Sequence, residues 1–172
     1  MRNFILTICL LFSSLAHSQP GLQADAAKVN QNKANLFTFR ETIDDIYSST
    51  SQLKAELSDS ASRYDSLGFF DFSEKAEIAQ SGCTQAKGTM GGAALMLASV
   101  LDVTQETLRT TASLNTANAN RVIQQLNTFS QVVRELDSVC NNPRALVAQI
   151  QKSQTALKHV KIFVDAVIPE TL

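Results

Sequence analysis

The chain has 172 residues with 15 basic and 16 acidic side chains, a formal net charge of −1. That balance, with no basic run and no interleaving of Lys or Arg with aromatics, excludes a nucleic-acid-binding surface. Only 18% of residues are charged and 44% are hydrophobic. A chain this long can bury one real core.

The N-terminus reads as a secretory signal peptide over 1–18. Arg2 precedes the short apolar run Phe4–Phe12, and Ala16-His17-Ser18 has the small side chains that a signal peptidase reads. The apolar run is too short for a bilayer, which needs about 20 residues, and no later segment is apolar enough to be transmembrane. Cleavage after Ser18 leaves 19–172 as a single helical-bundle domain of an extracellular protein. Two cysteines, Cys83 and Cys140, and one histidine, His159, then remain.

The first helix is expected from about Ala24 to Asp65. Val29, Leu36, Ile43, Leu57 and Tyr64 recur at heptad spacing, with Phe39, Ile46 and Leu53 between them. This makes one coiled-coil-like apolar stripe. Arg40, Glu41, Asp44 and Glu56 fall on the opposite, solvated face. Thr50 and Ser60 take seam positions, and a bend is expected there. Gly68 follows as a helix C-cap. Phe69, Phe70 and Phe72 crowd the turn; they read first as a plug closing the end of the bundle and second as an exposed tip for a ligand or partner.

The second helix is expected from Ser73 to about Thr111, opened by Ser73 with Glu74 and Glu77. Gly88, Gly91 and Gly92 interrupt it, and each interior glycine costs about 1 kcal/mol relative to alanine. A break, a hinge or a close helix–helix approach follows from them. No strand precedes these glycines and no Gly-Lys-Ser/Thr ending follows, which argues against phosphate binding. Ala93–Leu101, with Met96, is apolar all round and is expected to lie centrally, touched on several sides. A third reading is a small-ligand pocket in the bundle core near Gly88–Leu101 and the phenylalanine cluster, closed until a ligand enters.

Ser113–Asn120 favours a turn through Asn and Thr side chains that compete for backbone hydrogen bonds. The third helix then runs to about Val139 with Val122, Leu126, Phe129, Val133 and Leu136 on one face. Asn141-Asn142-Pro143 ends it and starts the fourth, Pro143 to Val167, with Leu146, Ile150, Leu157, Val160, Val164 and Val167. Pro169 is expected to stop the fourth helix.

Two cysteines in an exported protein pair most simply with each other. The midpoint of Cys83 and Cys140 falls between Thr111 and Ala112, about one turn from the independently chosen reversal. An antiparallel hairpin therefore brings them together, and the closed loop is worth about 4 kcal/mol in the chain-entropy model. One continuous helix through the region would hold the sulfurs roughly 80 Å apart.

These elements imply an all-α, antiparallel bundle of about four helices with one disulfide. No catalytic residues, metal ligands or cofactor site stand out. His159 beside Lys158 and Lys161 lacks the second histidine a zinc pair would need, and no serine lies in a strained nucleophile turn. The expected function is a secreted, non-enzymatic protein-interaction or structural module, bound to an unknown extracellular protein or to itself. The alternative is an extracellular carrier of lipid or another small apolar ligand, which the low charge density argues against.

Overall fold

The computed structural model describes residues 20–110 and 116–167. The expected signal peptide and the residues 111–115 and 168–172 lie outside that range. Four helices and no strand occur among the described residues: α1 Pro20–Ser66, α2 Phe72–Thr110, α3 Thr116–Val139 and α4 Pro143–Val167. The chain divides into two units, Met1–Ala34 and Asn35–Leu172. The described part of the first is the opening of α1, where Val29 is 53% exposed rather than a seam residue. One apolar side chain flanked by polar neighbours does not make a buried face.

The second unit is an antiparallel bundle whose register is written in side-chain pairs. Each step forward along α1 is met by a step back along α4: Arg40 pairs with Asp165, Asp44 with Lys161, and Asp65 with Arg144. Between them Gln154 Nε2 donates to Ser51 Oγ at 2.8 Å. On its other flank α1 meets α2 through Arg63–Glu74, Glu56–Gln85 and Asn35–Thr107. Thus Arg40, Asp44 and Glu56, read from the sequence as a solvated face, border the neighbouring helices. Exposed pairs of this kind contribute little energy, but they distinguish one register from another.

The core runs the length of this unit. Leu36, Phe39, Ile43, Ile46, Leu53 and Leu57 of α1 are buried with Ala86, Met90, Ala93 and Leu97 of α2. Val122, Leu126, Phe129 and Leu136 of α3 and Leu146, Ile150, Leu157, Val160 and Val164 of α4 complete it. On α3, Val132 is fully buried and Val133 only packs against the edge, one position from the sequence reading.

Helix α1 runs unbroken through Thr50 and Ser60, the seam positions where a bend or local loosening is expected from the sequence. The buried Thr50 hydroxyl donates to the Ile46 carbonyl at 2.8 Å, so its own helix satisfies it. Ser60 Oγ bonds Glu56 O in the same way. Helix α2 is likewise continuous through Gly88, Gly91 and Gly92. Packing of Met90, Ala93 and Leu97 on that stretch outweighs the glycines' low propensity.

Helix α3 begins at Thr116, inside the expected Ser113–Asn120 turn, so 116–120 are helical. The α3–α4 junction follows the sequence reading. Asn142 Oδ1 accepts the Ala145 N–H at 3.1 Å, and Pro143 takes the first helical position.

Candidate functional site

The disulfide Cys83–Cys140 joins α2 to α3, with Cα atoms 5.0 Å apart and 57 residues between the partners. Lys87 pairs with Asp137 one turn further along the same seam. The bridge lies toward the end of the bundle where α1 turns into α2.

That turn exposes its aromatics. Gly68 does not cap α1 in a left-handed conformation, since no described glycine has a positive φ. Instead the Gly68 N–H donates to Asp71 Oδ2 at 2.7 Å, while the Asp71 carbonyl accepts the Lys75 N–H at 3.0 Å. Asp71, rather than Ser73, therefore immediately precedes α2: its carbonyl accepts the first helical bond, while its carboxylate closes the turn on Gly68. This closed turn is too short to fold back over the bundle end. Phe69, Phe70 and Phe72 are 77%, 86% and 60% exposed, which overturns the plug and leaves the exposed tip. Phe69 makes edge-on contacts with Phe70 and Phe72, with ring centroids 5.5 and 5.3 Å apart.

Along α2 the expectation of a central Ala93–Leu101 also fails. Ala93 and Leu97 are buried, but Leu95 is 75% exposed, and Met96 and Val103 are exposed as well. A helix in a four-helix bundle meets neighbours on one side only, so an all-round apolar segment leaves its other side in water. From Gly88 to Leu101 there is no charged residue. Gly88, Gly92, Leu95, Ser99 and Val103 follow one another at three or four positions, so they share one helix face.

The three central glycines have nothing to make room for. A Cβ added at Gly88, Gly91 or Gly92 would meet no atom within 4 Å. Close approach occurs instead at Gly82, where a Cβ would lie 3.2 Å from Leu57 Cδ2 and 3.8 Å from Leu146 Cδ2. Gly82 lets α2 settle against both α1 and α4.

Two grooves on this unit have a mainly apolar lining; one borders the phenylalanine cluster, as one part of the expected pocket does, and neither is lined by residues of Gly88–Leu101. The larger, about 820 Å³, runs beside the tip and the disulfide. Tyr64, Phe69, Phe72, Ala76 and Ala79 supply apolar lining, and Lys75 and Lys87 are its only charged residues. Lys75 Nζ lies 5.2 Å from the centroid of the Tyr64 ring, a cation–π contact. The second groove, about 510 Å³, lies between α3 and α4 and includes Arg121, Ile162, Phe163 and the exposed His159.

Among the described residues no three of His, Cys, Asp and Glu gather where a metal ion could bind, and no helix is long and apolar enough to cross a membrane. The titration that shifts clearly is structural. The Asp44 carboxylate, hydrogen-bonded to Lys161, holds that ammonium above its ordinary value, with a smaller contribution from Asp165. No protein-family model, curated protein or solved structure matches the chain.

Sequence reasoning picked out the phenylalanines, Met96 and the cysteines. It missed Leu95, Val103 and the pairing of Tyr64 with Lys75. The uncharged run from Gly88 to Leu101 was a usable signal for Leu95, because no charge marks a solvent face there. The Tyr64–Lys75 contact crosses a turn and has no local signature.

Proposed function

We propose that the protein is a secreted, non-enzymatic interaction module that docks an extracellular protein on two exposed apolar patches, the uncharged side of α2 and the phenylalanine tip about 35 Å away along the same helix. The observation that carries this reading is the exposure of Phe69, Phe70 and Phe72 at one end of α2 and of Leu95, Met96 and Val103 along it. Aromatic and methionine side chains are enriched at interface centres, and each of the two patches holds several exposed apolar residues rather than one. Secretion is supported by the signal-like residues 1–18 and by a disulfide of a kind that persists in oxidising compartments.

A photo-crosslinking residue placed at position 70 or 95 should trap one partner, while the same residue at Asp59, on the charged outer side of α1, should not. With that partner purified, Phe70→Asp and Leu95→Lys should each weaken binding at least tenfold with melting unchanged. Trapping that does not depend on the position of the crosslinker, or variants that bind as the parent does, would refute the reading. A second copy of the chain as the trapped species would make the module self-associating. The carrier reading draws support from one observation, the groove between the tip and the disulfide.

A further inference from the structure

The geometry points to the groove beside the disulfide as a binding site for a free, single-chain anionic amphiphile such as a fatty-acid carboxylate. This goes beyond the contact surface proposed above and does not rest on it. The groove's volume of about 820 Å³ lies within the range of small-ligand sites. Its chemistry is divided along its length. At one end stands Lys75, held over the Tyr64 ring and, among the described residues, in no ion pair. Further along α2 the groove is lined by Ala76, Ala79 and the Cys83–Cys140 bridge, which leave a channel along the helix, with the uncharged polar Gln80, Thr84 and Asn141 beside them.

Charge selects the sign of the head group. No acidic residue lines the groove, although acidic residues outnumber basic ones in the chain as a whole. Lys87, the other cation, is already neutralised by Asp137, which leaves Lys75 to receive a carboxylate. From Lys75 to Thr84 the helix rises about 13 Å, room for a medium-length alkyl chain laid parallel to α2. Phe69 and Phe72 stand over the same channel and would shield the chain from water. The Tyr64 ring, by holding the ammonium in place, lowers the entropy lost on binding.

Isothermal titration of the disulfide-intact chain with dodecanoate, kept below its self-assembly concentration, tests the site. One saturable site per chain is expected, with dodecyltrimethylammonium binding at least tenfold more weakly. Ala76→Trp fills the channel from an exposed position and should abolish binding with the melting transition retained. Lys75→Glu should weaken dodecanoate about tenfold and favour the cationic amphiphile. The inference is overturned by the absence of saturable heat, by equal binding of the two amphiphiles, or by unchanged binding in folded Ala76→Trp or Lys75→Glu. It is also overturned if the chain sediments with phosphatidylglycerol vesicles yet takes up no monomeric dodecanoate, which would assign the tip to a membrane surface instead.

Discussion

Alanine substitution of the glycines of α2 should separate into two classes of opposite sign. Gly88 and Gly92 lie inside a continuous helix of 39 residues, and an added Cβ at either meets nothing within 4 Å. Each substitution to alanine therefore gains helix propensity and loses no packing, worth about 1 kcal/mol. For a chain of this size that is a rise in melting temperature of roughly 2–4 °C each. The two sites stand one turn apart on the same face, but each added Cβ points into open space, so the double variant should gain about 2 kcal/mol. Gly82 faces the opposite situation. Its added Cβ would stand 3.2 Å from Leu57 Cδ2, and Leu57 is itself buried among core side chains. Leu57 must retreat by a few tenths of an ångström, which offsets the gain in propensity, so Gly82→Ala should be neutral at best. Gly82→Val adds two methyls to the same seam and should cost about 1–3 kcal/mol through overpacking. Urea unfolding followed by circular dichroism measures all five variants on one scale. A destabilised Gly88→Ala or Gly92→Ala would mean that α2 needs a break there, and an undisturbed Gly82→Val would mean that the α1–α2 seam is looser than the contacts describe.

Replacing Cys83 and Cys140 together by alanine should cost about 4 kcal/mol of unfolding free energy, as expected for the loop they close. Denaturant titration of the double variant reads this directly, and a loss below about 1 kcal/mol would refute it. Phe39→Ala, at a fully buried position, should cost about 3–5 kcal/mol, whereas Phe70→Ala, at 86% exposure, should change thermal stability by less than about 0.5 kcal/mol. Comparable losses at both positions in calorimetry would contradict the exposed tip. Because Asp44 and Asp165 raise the Lys161 pKa on folding, the stabilisation is fully present below its unfolded value of 10.5 and is lost as pH rises through the higher folded value. Stability should therefore fall on the alkaline side more steeply for the parent than for Lys161→Gln, and parallel alkaline profiles would show that the pairing contributes nothing.

Several elements of this bundle were legible before any contact was known. The stripe from Leu36 to Leu57 on α1 and its counterpart from Leu146 to Val164 on α4 both became core. Asn142-Pro143 marked a helix junction, and the two cysteines met where an antiparallel hairpin would place them. The same local logic misled at the central glycines, where neither a break nor a close approach occurs, and at Thr50 the helix continues through a polar seam position. A hydroxyl can bond the preceding turn of its own helix, and weak propensity at a few positions yields to packing on either side of them.

The sequence by itself determined the class of fold, most of the inward face of α1, α3 and α4, the α3–α4 junction and the pairing of the cysteines. Each of these follows from spacing along one helix or from the equal distance of two residues from a reversal. Only the tertiary structure decided that the phenylalanines stand in water, that Leu95 and Met96 face outward, that Gly82 rather than Gly92 admits a close neighbour, and that Lys75 overlooks a groove. An apolar residue carries the same signal whether or not something covers it. In α2, apolar on both sides over Ala93–Leu101, the number of neighbouring helices sets which side is buried, and no local pattern records that number.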